Sequence, residues 1–167
     1  SLTRTQVSGN HAAGSGGALL NTSGGTVTLT DCTLSGNRAD SQGGASYSSS
    51  ATVTYARCTL SGNTSGSVGV IRCESATANL TNVTVHGNTT GGDVLYFNFS
   101  TLNLLNSTLT ANLGGPVFYY RYSGMNLTNA IVWGNDGSYG VWGYSYGGGS
   151  TTGHSLVQGG ADGTGNL

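Results

Sequence analysis

Apolar and small residues recur along the chain at offsets of 2, 3, 2 and 3. With the Gly-Asn pairs as markers, Asn10, Asn37, Asn63, Asn88, Asn112 and Asn135 form one column, at intervals of 27, 26, 25, 24 and 23 residues. Gly160 is a degenerate seventh member. Three residues before each marker stands an aliphatic side chain: Val7, Leu34, Leu60, Val85, Leu109, Val132 and Val157. Two earlier comes a small one: Thr5, Cys32, Cys58, Val83, Ser107, Ala130 and Ser155. Before these lie Leu2, Leu29, Tyr55, Leu80, Leu104 and Leu127, and two further back Val27, Val53, Ala78, Leu102 and Met125.

An offset of 2 is the strand signature, whereas an offset of 3 cannot continue a flat strand without reversing its faces, so it predicts a corner. After each Asn a loop of variable length leads to a third strand, starting at Ala18, Ala45, Val70, Val94, Val117 and Val141 and often preceded by Gly. A repeat of this length with no helical period predicts an all-β parallel solenoid of six to seven coils, 23–27 residues each, with three short strands per coil. Stacked at about 4.8 Å per coil, it makes a rod on the order of 30 Å long. Like residues then pile over like residues, and the Asn column, a polar residue at a fixed turn, is expected to satisfy its amides as a hydrogen-bonded ladder that holds the corner.

Composition narrows the partners. Five Arg, no Lys and six acidic residues leave no basic field for nucleic acid or acidic lipid. No apolar run approaches the roughly 20 residues of a membrane span, and no signal segment opens the chain. A start at Ser1 suggests a mature product or a fragment. Neither end offers a capping helix or a charged edge, so end-to-end stacking with copies of itself, or with flanking parts of a longer chain, is expected.

The units GGALL, GGASY, CTLSGN and VTVHGN resemble the right-handed, single-stranded parallel β-helix repeats of secreted bacterial surface proteins, including the polymorphic outer membrane proteins with their GGA motif. The ending AIVWGN (130–135) followed by HSLVQGGADGTGNL (154–167) resembles the C-terminal part of choice-of-anchor Q domain proteins. The resemblance covers essentially the whole chain as one domain and implies an extracellular or surface location. In such proteins the chain runs on beyond GTGNL. Asp93 and Pro116 depart from the pattern, standing where Gly precedes the third strand.

Residues able to carry chemistry are dispersed. Polysaccharide cleavage needs carboxylates clustered around one sugar. Arg4, Asp31 and Arg57 fall in one corner column and read as a surface ion-pair row. Asp40, Asp93 and Asp136 lie in or near the variable loop on alternate coils, roughly 10 Å apart by strand spacing, and read as solvated loop residues. His11, His86 and His154 occupy three columns and do not converge on a metal or a nucleophile. Cys32 and Cys58 stack inside the coil as small hydrophobes, and a disulfide between them would need strain. The tail GGADGTGNL resembles a calcium nonapeptide only faintly, with its Asp misplaced. Paired Thr26/Thr28 and Thr52/Thr54 decay at once to Thr77/Asn79 and Thr101/Asn103, which is ordinary strand composition. No catalytic residue, metal or cofactor is expected.

Aromatic residues concentrate instead, twelve of the fourteen falling between Tyr96 and Tyr146. Alternation predicts that Leu19, Ser46, Ile71, Leu95, Phe118 and Trp142 face the core. Tyr47, Arg72, Tyr96 and Tyr119 then form an outer row, the candidate binding face, whose rings suit stacking on sugars or another protein. The reading that emerges is a passive extracellular rod presenting loops and an aromatic face as an adhesin or filament subunit. A carbohydrate-binding or polysaccharide-degrading protein is the alternative.

Overall fold

One left-handed residue per corner turns these strands into a coil. In the computed structural model Arg4, Asp31, Arg57, Asn82, Asn106, Asn129 and His154 all adopt φ between 49° and 54°. Each sits between two inward-facing positions, such as Leu29 and Cys32, and supplies the extra residue of the 3-offset. Asn and Asp tolerate this conformation best, and the column holds four of them. The next corner uses Gly9, Gly36, Gly62, Gly87 and Gly134, with Ala111 replacing Gly in one coil. A third falls at Ser50, Ser75, Phe99 and Tyr122. Backbone bonds continue from coil to coil through the corners, as in Asp31 N to Ala56 O at 2.9 Å and Ser50 N to Glu74 O at 2.9 Å.

The structure describes residues 1–137, 142–146, 149–159 and 164–166, with backbone only for 137 and 142–146. Gly160, Val141, Tyr139 and the side chains of Trp142, Tyr144 and Tyr146 lie outside that description, as does most of the GGADGTGNL tail. Among the described residues there is no helix, and four parallel sheets run along the axis. The first has seven strands: Leu2–Thr3, Thr26–Thr30, Thr52–Ala56, Thr77–Thr81, Thr101–Leu105, Gly124–Thr128 and Gly149–Gly153. The second, also seven, contains Gln6–Ser8, Thr33–Ser35, Thr59–Ser61, Thr84–His86, Thr108–Thr110, Ile131–Trp133 and Leu156–Val157. Register follows the sequence columns, with Val27 opposite Val53, Leu34 opposite Leu60 and Leu60 opposite Val85.

Three strands per coil is an undercount. A sheet of two-residue strands, including Arg38–Ala39, Thr64–Ser65 and Thr89–Thr90, follows the Asn column. Two residues alternate only once, too short a run for a periodic signal. The fourth sheet is the expected last strand of each coil, shifted by one residue: Leu19–Thr22, Ser46–Ser49, Ile71–Glu74, Leu95–Asn98, Phe118–Arg121 and Trp142–Tyr146. Asp93 and Pro116 leave the winding intact, since the Asp93 carbonyl accepts from Gly69 N at 2.8 Å and that of Pro116 from Val94 N at 3.0 Å.

Inside, the columns interlock by size. Leu34, Leu60, Leu80, Leu102 and Leu109 are fully buried, each worth about 1.5–3 kcal/mol of burial. Where the fourth sheet supplies only Ser46 and Ser48, the first sheet supplies Tyr55, which fills the space and donates its hydroxyl to Ser46 Oγ at 2.6 Å. Neighbouring coils reverse the choice, pairing Leu80 and Leu104 on the first sheet with Ile71, Leu95 and Phe97 on the fourth.

The Asn ladder runs through this core. Asn10, Asn37, Asn63, Asn88 and Asn112 each donate Nδ2 to the Oδ1 of the next Asn at 2.8–3.0 Å. The same oxygen accepts the backbone N–H of the preceding rung at 2.8–3.1 Å. The second Nδ2 proton of Asn37, Asn63, Asn88, Asn112 and Asn135 reaches a main-chain carbonyl one coil back: Val7, Leu34, Leu60, Val85 and Leu109. Asn37, Asn63, Asn88 and Asn112 are 0% exposed, so these bonds replace water completely.

Candidate functional site

The outer face of the fourth sheet carries the predicted row. Leu20, Tyr47, Arg72, Tyr96 and Tyr119 are successive register partners, and Ser46, Ile71, Leu95 and Phe118 lie buried beneath. Strand alternation thus resolves FYYRY with Phe118 and Tyr120 inward and Tyr119 outward. The Tyr96 and Tyr119 rings stack with centroids 4.3 Å apart and planes 6° apart. The Arg72 guanidinium lies 4.3 Å from the Tyr96 centroid and 5.8 Å from that of Tyr47.

The rings of this row stack on one another rather than lying open for a sugar or a protein to stack on them. Coil spacing near 4.8 Å is close to the thickness of an aromatic ring, so rings in one column turn their faces on each other. Tyr96 therefore meets Arg72 on one face and Tyr119 on the other, and what this rung offers solvent is its edge. Burial, with the proximity of Tyr119, holds the Tyr96 phenol above its ordinary pKa.

A polar row absent from the sequence reading lies beside it. Arg72 pairs with Glu74, two residues on and on the same face, and Asn98 Nδ2 donates to the other Glu74 oxygen at 2.8 Å. Only 12% of the Arg72 side chain is exposed, and its Nε and the Asn98 Oδ1 are buried without hydrogen-bond partners. At the adjacent corner Phe99 and Tyr122 stack at 4.9 Å and 17°, with the Arg121 guanidinium 5.2 Å from the Tyr122 centroid.

The remaining candidates stay apart. Arg57 grips Asp31 with two bonds, 2.6 and 3.0 Å, and that pairing holds the Asp31 carboxyl below the usual range. Arg4 adds only a longer-range pull in the same direction. Asp40 is held by Arg38 at 2.8 Å and His11 at 2.9 Å, a local cluster that sequence columns did not reveal. Asp93 differs from the expected solvated loop residue, because burial raises its carboxyl above the ordinary value. Asp136 lies on the short strand Asp136–Gly137, exposed. His86 stands between Ser61 and Thr110 on the second sheet, and His154 occupies the left-handed corner. Cys32, Cys58 and Cys73 are free and buried. Burial lifts the Cys73 thiol to about 12. Among the described residues no three His, Cys, Asp or Glu gather as a metal site.

No curated protein and no solved structure is matched by the chain. The family model described as right handed beta helix region matches residues 1–157. Parallel coils, left-handed corners and this match lead to one conclusion: the chain belongs to the right-handed β-helix family.

Proposed function

We propose that the chain is a non-catalytic extracellular module, a rigid rod for surface display or adhesion, of the kind represented by choice-of-anchor Q and polymorphic outer membrane repeat proteins. One observation carries this reading: the acids with close polar partners spend them on cations or amides of their own or adjacent coils. Asp31 goes to Arg57, Asp40 to Arg38 and His11, and Glu74 to Arg72 and Asn98. A hydrolytic site needs two carboxyl groups facing one bond with their protons free to move. The partner such a rod suits is another parallel coil, whether a flanking part of a longer chain or a second copy, because the edge strands Leu2–Thr3 and Gln6–Ser8 each have a strand neighbour on one side only and an open edge templates a further strand.

Two measurements test the proposal. Incubation with a polysaccharide panel should release no new reducing ends, and turnover abolished by Glu74→Gln or Asp93→Asn overturns the non-catalytic reading. Electron microscopy of concentrated chain should find rods longer than one molecule, joined along the coil axis. Monodisperse short particles at every concentration overturn self-stacking.

The second reading, carbohydrate binding, is favoured by a different observation, the exposed ring at the Phe99 corner.

A further inference from the structure

Phe99 occupies a costly position. It sits at φ 49°, in the left-handed region that bulky side chains rarely enter, and remains 57% exposed. The same corner holds Ser50 and Ser75 in the two preceding coils, at φ 48° and 49°. A small residue satisfies the turn, so the turn itself does not demand a phenyl ring. Strain of this kind points to a role for the side chain beyond the fold.

Ring faces are consumed wherever aromatic residues stand in adjacent rungs. Phe99 is covered by Tyr122 on the side of the following coil. On the side of the preceding coil the rung is Ser75, exposed and too short to cover a ring, and beyond it is Ser50, also exposed. The stack thus ends in an open aromatic face above a step one to two coils deep, about 5–10 Å at strand spacing. On the fourth-sheet side the step is flanked by Glu74 and Asn98, and across the corner by Thr77 and Thr101, the first outer positions of their strands.

We infer that this step is a subsite for a neutral pyranose ring. A pyranose is about as thick as one rung of the stack, so it can take the place of the missing ring above Ser75. Its axial C–H bonds meet the negative face of Phe99, and its equatorial hydroxyls reach the carboxylate, amide and hydroxyl groups at the rim. Glu74 is neutralised by Arg72, and Arg121 lies two coils on, on the far side of Phe99 from the step, so the step itself adjoins no uncompensated charge and selects no strongly ionic ligand. The inference rests on the carbohydrate-binding reading, for which it names the subsite and ligand class, and stands independently of the passive scaffold.

The chain has three phenylalanines, and Phe97 and Phe118 are buried, so ring-labelled protein gives one exposed phenylalanine signal. Titration with cellohexaose, chitohexaose, xylohexaose or mannohexaose is expected to shift the Phe99 resonances in the millimolar range with at least one of them. Ser75→Phe, which adds the missing rung, should weaken that binding at least about tenfold, while Ser75→Ala leaves it intact. Phe99→Ser restores the residue this column holds elsewhere and should abolish the ligand's saturation-transfer signal without loss of fold. No shift with any of the four sugars overturns the subsite, as does binding that survives Phe99→Ser. Neither result bears on catalysis or self-stacking.

Discussion

Asn63 is tied twice to Asn88: its side-chain Nδ2 and its backbone N both donate to the Asn88 Oδ1, at 3.0 and 2.8 Å. One oxygen therefore satisfies two buried donors, while the Asn88 amide passes the pattern on to Leu60 O and Asn112. Replacing Asn88 by Leu keeps the volume but strands donors and acceptors above and below. A loss of about 3 kcal/mol or more is expected in urea unfolding, against under about 1 kcal/mol for Asn10→Leu at the exposed rung.

Tyr55 and Ser46 are a matched pair across the core. Tyr55→Leu and Ser46→Ile each introduce one half of a combination the next coil already uses in Leu80 and Ile71. Separately they leave a cavity or overfill the space, at about 2–4 kcal/mol each. The double variant should recover most of that loss, a coupling readable in a double-mutant cycle.

Acid sensitivity has two opposing contributions. The folded-state pKa values of Asp31 and Asp40 are depressed by their Arg partners, so these pairs contribute stability above the ordinary value of 3.8 that is lost as pH falls through the folded pKa. Asp93 has the reverse sign. Its pKa is raised by burial, so its contribution turns unfavourable as pH rises through the folded value. Thermal melts should show Asp93→Asn more stable than the parent near neutral pH, with the difference vanishing below the ordinary carboxylate pKa. A constant difference across pH contradicts the assignment.

Cys73 lies in the core beneath the outer row, its thiol held neutral by burial, and Cys32 and Cys58 are equally enclosed. Alkylation by iodoacetamide at about pH 8 should leave all three untouched in the native protein and modify all three in urea. Rapid labelling of native Cys73 would contradict its placement.

The positions of the ladder and core columns were legible because a solenoid converts recurrence into stacking. Leu29, Cys32 and Leu34 could be placed in the core, and Asn37 in a ladder at the corner, from their 2-3-2-3 offsets alone. The two-residue sheet was missed, although it left a trace: the residue two after each Asn is small, as in Ala12, Ala39, Ser65 and Thr90, and the last three are buried. The outward row from Tyr47 to Tyr119 was legible from alternation, but the facing of its rings was not. That depends on rung spacing set against ring thickness, which no pattern within one coil contains. The Glu74 cluster escaped because it joins positions two apart in one strand to a third on the next coil. Asp40 escaped similarly, its His11 partner lying one coil earlier.

Hydrogen exchange of the Asn side-chain amides, followed by NMR, tests the stacked ladder most directly. The Nδ2 protons of Asn37, Asn63, Asn88 and Asn112 are predicted to exchange only on global unfolding, as slowly as the backbone amides of Leu60 and Leu80 and far more slowly than those of exposed Asn82. If the four ladder amides exchange at the Asn82 rate in folded protein, the rungs are open to water and the account of the fold is wrong.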